Sequence, residues 1–305
     1  MTKTIPGLHH VTAISGPPQA NVDFFTKVLD QKLVKKTVNF DAPDTYHLYY
    51  GNNTGAPGTI LTFFPFMDAG PGRAGAGMAA AYAYAVPKGG FDGWMERLAE
   101  DAIDFLGPKE RFGQRVILLR DPDGAPVELI ETDRESADSL DGFHSVTLWE
   151  DDIAPTAKLL TDIFGYAEAG HETVDGVERL RLAALGDARG AVVDIMRSDA
   201  PSIGRQGAGT IHHVAFRAED DATQLDWREK LASAGLGVTP VIDRQYFNAI
   251  YFREPGGVLF EIATDPPGFA ADEDPAHLGE ALKLPPKYEG LRDRIETALP
   301  PLKVA

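Results

Sequence analysis

The chain has no cysteine among its 305 residues. Disulfides, thiolate nucleophiles and cysteine-based zinc sites are therefore excluded. It has no apolar run approaching the ~20 residues that span a bilayer. Its first residues, Met1-Thr2-Lys3-Thr4-Ile5-Pro6, lack the apolar core of a signal peptide. Basic residues are scarce. Lys and Arg number 29 against 46 Asp and Glu, and the formal net charge of −17 would repel a phosphate backbone. Neither nucleic acid nor membrane is an expected partner, the cytoplasm is the expected location, and a homo-oligomer is left open. The length suits one large or two medium domains with a substantial core.

What the chain does have is repetition. Gly7-Leu8-His9-His10-Val11-Thr12 returns as Thr210-Ile211-His212-His213-Val214-Ala215-Phe216, and in broken form as Gly142-Phe143-His144-Ser145-Val146-Thr147. Each copy is an apolar, β-favouring run. The copies open units over 7–66, 142–197 and 210–264, and a further unit covers 79–132. In unit one, strand Leu8 to Ile14 and helix Pro17 to Leu29 precede three strands, giving the order β-α-β-β-β. Units two and four support each other. Asp121-Pro122-Asp123-Gly124-Ala125-Pro126-Val127-Glu128 aligns without a gap on Glu254-Pro255-Gly256-Gly257-Val258-Leu259-Phe260-Glu261, turn on turn and glutamate on glutamate. The expected organisation is an N-terminal domain (1–135, units one and two), a C-terminal domain (136–265, units three and four) and a tail (266–305). The tail ends in a helix with Leu291, Ile295 and Leu299 on one face.

Register then selects a constellation. His10 and His213 share one position of the first strand; unit three has Ser145 there and unit two only Ala and Tyr. The closing strands of units two and four carry Glu128 and Glu261. Units one and four together give two histidines and one glutamate, whereas neither sequential pairing gives more than one of each. Two His and one carboxylate with open positions form the facial triad of non-haem Fe(II) oxygenases, and Mn(II) or Zn(II) could also be held. The carboxylate in Phe260-Glu261-Ile262 would be costly to bury without a partner. Glu128 has no histidine partners and fits either a vestigial site or an arginine pair.

These features together resemble the vicinal oxygen chelate (glyoxalase/bleomycin resistance/extradiol dioxygenase) superfamily. Within it the chain resembles hydroquinone ring-cleaving dioxygenases of the 2,6-dichlorohydroquinone type. The resemblance runs through Leu8-His9-His10-Val11-Thr12, Tyr46-His47-Leu48-Tyr49-Tyr50, Arg111-Phe112-Gly113-Gln114-Arg115, Ile211-His212-His213, Pro255-Gly256-Gly257 and Asp272-Glu273-Asp274. It implies an α+β fold of four βαβββ modules forming two half-barrel pairs. It implies Fe(II) on His10, His213 and Glu261, with a small aromatic substrate and O2 as partners. It further implies catalytic roles for His9, Thr12, His212, Arg244 and Tyr251. Strand alternation puts Thr12 on the face of His10 but turns His9 and His212 away, so a direct role for them needs a bulge.

Two other readings compete. A glyoxalase-type metal-dependent isomerase would usually have a fourth protein ligand, and the stretch where it would fall, Thr59 to Phe64, has no carboxylate or amide. A non-catalytic aromatic-binding resistance protein would not need a complete triad. Elsewhere the signals are weak. Gly70-Pro71-Gly72-Arg73-Ala74-Gly75 spells G-x-G-x-x-G, but a strand follows it, so segment 68–77 reads as a mobile linker. Asp272-Glu273-Asp274 reads as a solvated charge run.

Overall fold

The computed structural model describes residues 3–198 and 203–304. The ends of the chain assigned above to the first domain and the tail, Met1, Thr2 and Ala305, lie outside them. Four modules are present. Module one is β1 (Leu8–Ser15), α1 (Pro18–Asp23), β2 (Lys32–Asn39), β3 (Ala42–Gly51) and β4 (Ile60–Pro65). Module two is β5 (Met78–Val86), α2 (Phe91–Glu100), β6 (Phe105–Arg111), β7 (Gln114–Arg120) and β8 (Pro126–Glu131). Module three is β9 (Phe143–Trp149), α3 (Ile153–Asp162), β10 (Ala167–Val174), β11 (Val177–Ala183) and β12 (Val192–Ser198). Module four is β13 (Thr210–Ala218), α4 (Asp221–Ser233), β14 (Ile242–Asp243), β15 (Phe247–Arg253) and β16 (Leu259–Pro267). The fold is α+β, as expected. The first helix is shorter than its apolar spacing suggests: α1 gives way to a π-helical turn at Phe24–Val28, where Phe24 and Phe25 are both buried.

The modules pair across the sequence. One eight-stranded sheet runs β14-β15-β16-β13-β1-β4-β3-β2 and joins modules four and one; the other runs β10-β11-β12-β9-β5-β8-β7-β6 and joins modules three and two. The expected halves, 1–135 and 136–265, each give one module to each sheet. The physical reason lies in the first strands. A module's first strand pairs in parallel with its own closing strand and leaves its other edge free. That edge is filled antiparallel by another first strand, β13 on β1 and β9 on β5. Aromatic and aliphatic side chains of the helices, including Phe25, Trp94, Leu160 and Trp227, fill the core against the sheets.

The connections are more ordered than expected. Segment 68–77 forms bridges with its counterpart between modules three and four, at Pro71 with Ala208, Arg73 with Arg205 and Ala76 with Ile203. The two Gly-rich links fit backbone to backbone, and a Cβ on Gly72 would collide with Gly207. The tail wraps β2 and β3. Its helices are α5 (Pro286–Glu289) and α6 (Arg292–Ala298), and Ile295 and Leu299 are buried while Leu291 is half exposed. The acidic run is only partly solvated: Asp274 is exposed, but Asp272 and Glu273 turn inward. Lys35 on β2 is fully buried, with its Nζ 2.7 Å from Asp272 and 2.6 Å from Glu273. A buried ammonium requires such partners. No helix is long and apolar enough to cross a membrane among the described residues.

Candidate metal centre and its cavity

The parallel pairing of first and closing strands fixes equivalent positions in all four modules. Ala215 lies beside Glu261, Thr12 beside Thr62, Ala83 beside Glu128, and Thr147 beside Asp194. Two residues earlier on the first strands stand His213, His10, Ala81 and Ser145. The sheet of modules one and four therefore presents His10, His213, Glu261 and Thr62 together. The other sheet presents Ala81, Ser145, Glu128 and Asp194. Glu128 is held by Arg111 through two hydrogen bonds of 2.7 and 2.8 Å. Asp194, which the sequence reading passed over, is held by Arg181 through two of 2.8 Å.

Residues ten, 213 and 261 converge. His10 Nε2 is 3.3 Å from His213 Nε2 and 3.4 Å from Glu261 Oε2, and His213 Nε2 is 2.9 Å from the same oxygen. All three side chains are buried. Two features fit a cation at their centre. Bonds of about 2.1 Å, ordinary for imidazole and carboxylate, put ligands at right angles about 3.0 Å apart. And neither oxygen of the fully buried Glu261 receives a hydrogen bond, which is costly for a carboxylate unless something else is bound. Burial pushes the Glu261 carboxyl upward, but the two imidazoles outweigh it and hold it well below the usual carboxylate range. His213 is pushed down, first by burial, against the pull of Glu261.

The two doubtful histidines sit at bulges. β1 has one extra residue, His9, where Leu8 and His10 face Phe216 and Ala215; β13 has one extra, His212, where Ile211 and His213 face Ala13 and Thr12. Each bulge turns a ring back onto the next histidine. His9 Nδ1 is 2.9 Å from His10 Nδ1, and His212 Nδ1 is 2.8 Å from His213 Nδ1. The two then differ. His212 lines a cavity over the cluster, whereas His9 lies behind His10 and bonds the Thr264 backbone. Burial, then neighbouring His213, lowers the His212 pKa to about 4, and burial takes His9 well below its ordinary value.

That cavity holds about 590 Å³. It opens over His10, Thr12 and His213, with Phe40, Phe64, Phe66 and Phe247 as apolar walls. Arg244 and Tyr251 are also in its wall, Arg244 Nε donating to the Tyr251 hydroxyl at 3.2 Å. Burial, then the charge of Glu261, keeps the Tyr251 phenol far above its ordinary pKa. So of the eight expected residues, seven meet at this cavity or at the candidate metal cluster beneath it, and His9 backs it. His47 and Tyr49 also line it. Their signal in the sequence was alternation: Tyr46, Leu48 and Tyr50 point to the core, which turns His47 to the other face.

Comparison with known proteins agrees with this fold. The model of the glyoxalase/bleomycin resistance protein/dioxygenase superfamily matches residues 7–129 and 142–262. The chain belongs to that superfamily. MhqO of Bacillus subtilis (strain 168), provisionally named a ring-cleaving dioxygenase, is 46% identical over 100% of this chain and 99% of its own. The chlorohydroquinone/hydroquinone 1,2-dioxygenase of Sphingobium indicum is 36% identical over 97% of this chain and 96% of its own. A crystal structure of a protein from Bacillus subtilis, titled provisionally as a dioxygenase, superposes with a TM-score of 0.92 at 45% identity, over 100% of this chain and 99% of that one. Glyoxalase I from Zea mays shares the fold, with a TM-score of 0.64 at 15% identity over 89% of this chain and 95% of its own.

Proposed function

We propose that the chain is a ring-cleaving dioxygenase that acts on a hydroquinone or related phenol, with Fe(II) held by His10, His213 and Glu261. The observation that carries this is the buried three-sided cluster at the floor of an aromatic-walled cavity. Relatives named for ring cleavage, one of them on hydroquinones, support it. Fe(II) bound there supplies a Lewis acid that acidifies a coordinated phenol and a redox partner for O2.

The protein's own groups do the rest. With Nε2 of His10 and His213 given to the metal, each Nδ1 carries a proton and donates it to the bulge histidine behind. His9 and His212 thus orient the ligands. His212 then carries its own proton on Nε2, on the cavity side. The Phe walls fit the faces of a planar ring and exclude water. Arg244 places a positive charge where a ring-cleavage product becomes anionic. Tyr251, protonated and accepting from Arg244, holds its own proton beside Glu261 at the edge of the cavity. Thr62 stands where a four-ligand isomerase would place a carboxylate or amide. Its hydroxyl disfavours the glyoxalase-type reading.

The test is anaerobic loading with Fe(II), followed by oxygen uptake with a panel of hydroquinones and catechols. One O2 consumed per ring opened is expected. Iron-loaded protein that takes up no oxygen with any of them would overturn the proposal.

A further inference from the structure

We propose that His47 is a positioning residue which makes Thr12 a hydrogen-bond donor to the substrate, through the chain Tyr49–His47–Thr62–Thr12. This rests on the dioxygenase reading for its substrate but not for its geometry. Three contacts build the chain. The Tyr49 hydroxyl is 2.8 Å from His47 Nδ1, His47 Nε2 is 2.8 Å from Thr62 Oγ1, and Thr62 Oγ1 is 3.0 Å from Thr12 Oγ1. Thr12 and Thr62 are fully buried, and Thr12, His47 and Tyr49 line the cavity.

The direction of every bond follows from the far end. The Tyr49 ring is packed against Phe269 and Tyr246, with centroids 5.1 and 6.1 Å away, and its hydroxyl reaches His47. Burial holds that phenol protonated and the His47 imidazole neutral. A buried hydroxyl that fails to donate is left with an uncompensated desolvation cost. Tyr49 therefore donates to Nδ1. A neutral imidazole with Nδ1 accepting carries its one hydrogen on Nε2, so His47 donates to Thr62. Thr62 has one hydrogen and gives it to Thr12. Thr12, its oxygen occupied, is left with a hydrogen to donate, two residues along β1 from His10. The atom it meets must be an acceptor. A phenolate oxygen qualifies, whereas a phenol proton does not.

The chain also gives Thr62 a reason to stand where Glu261 stands in module four. A carboxylate there would be a fourth ligand. A hydroxyl instead passes on a hydrogen bond and leaves a coordination position free.

The tautomer can be read without catalysis. Protein with ¹⁵N-labelled histidines is loaded with diamagnetic Zn(II), and long-range ¹H–¹⁵N spectra are recorded, with His47→Gln assigning the signal among the eight histidines. His47 should carry its proton on Nε2, and Tyr49→Phe should shift it toward the Nδ1-protonated form. A wild-type His47 protonated on Nδ1, or one indifferent to Tyr49→Phe, overturns the proposal. In turnover, Thr62→Val keeps shape and breaks the chain. It should lower kcat roughly tenfold, the size of one hydrogen bond, with KM nearly unchanged and the His47 tautomer retained. An unaltered kcat overturns it. A wild-type protein that turns over no phenol would count against the dioxygenase reading, while the tautomer result still decides the chain.

Discussion

The two sheets are built alike and used differently. Both have two first strands paired antiparallel at the centre, and both have the same two bulges. Those of the second sheet fall at Ala80 and His144, where those of the first fall at His9 and His212. His144 even turns its Nδ1 to within 3.0 Å of Ser145 Oγ, as His212 does to His213. Both sheets keep an acid at the closing-strand position, one in the first and two in the second. What differs is the charge that meets them. In the first sheet, imidazoles leave a carboxylate without hydrogen bonds, fit for a cation. In the second, Arg111 and Arg181 satisfy both acids with fixed two-point pairs, and no cluster of three or more His, Cys, Asp or Glu occurs there among the described residues. Guanidinium supplies charge and geometry together and leaves nothing open. A fold that makes two half-barrels from one module therefore needs only a few side chains changed to set one of them apart.

The largest effect should come from removing the unpaired acid. Glu261→Gln takes away the one anionic ligand, and we expect metal affinity to fall by more than 100-fold, beyond the roughly 10–100-fold typical of outer-shell changes. Metal analysis after dialysis checks this; stoichiometric metal in the variant would mean that the cluster is not the site. Glu128→Gln, its counterpart, should leave metal content unchanged.

The second sheet should break differently, in stability. Asp194 is fully buried and Arg181 nearly so. Asp194→Asn leaves a buried guanidinium without its anion, and a loss of about 3–5 kcal/mol is expected. Urea denaturation measures it. Replacing both partners with apolar residues should restore most of the loss, because the pair itself contributes little net. A double variant no more stable than the single one would argue against that account.

How much of this was legible follows from where each signal lives. The candidate ligands His10, His213 and Glu261 could be found because the repeats put them at equivalent registers. Asp194 sits in the same apolar setting, Val193-Asp194-Ile195, but a search for glutamate alone does not see it. Strands β6, β10 and β14 left no trace because β6 and β10 are exposed along most of their length and β14 has only two residues. Phe105–Arg111, for instance, is exposed along most of its length and has no alternating apolar face to betray it. The bulges were invisible because a bulge is a relation between two strands and not a property of either. The pairing of modules one with four was implied by the metal argument, yet the expected domains followed chain order. Local pattern does not say which free edge a strand will meet. The acidic tail looked solvated because its partner, Lys35, lies more than two hundred residues earlier.

The bulge histidines sharpen the comparison further. If His9 and His212 hold the ligand rings, His9→Ala and His212→Ala should each weaken metal binding roughly 10–100-fold. His144→Ala, at the same place in the second sheet, should not change it. Competition with a chelator of known affinity gives the values. Equal, negligible effects at all three positions would reduce the bulges to a feature of the fold alone.

The smallest expected effect concerns the two corners where the sheets meet, which solve one crowding problem in opposite ways. At one corner the turn carries the acid. Asp123 accepts from the Gly16 amide at 3.0 Å, and the facing residue is glycine. At the other the turn carries glycine, Gly256, and the acid faces it: a Cβ there would collide with the Glu150 carboxyl. The second solution is the less comfortable. Glu150 is buried with neither oxygen hydrogen-bonded, and burial, then Glu254, raises its pKa to about 9. The folded state thus holds a proton that the unfolded chain releases near pH 4.5. Stability from this group is complete below about 4.5 and declines as pH rises toward 9. Glu150→Gln keeps the shape and removes the titration. Its melting temperature should fall less than the wild type's between pH 6 and pH 9, with an advantage of about 1 kcal/mol at the alkaline end. Parallel curves for the two proteins would show that Glu150 is already ionised in the fold.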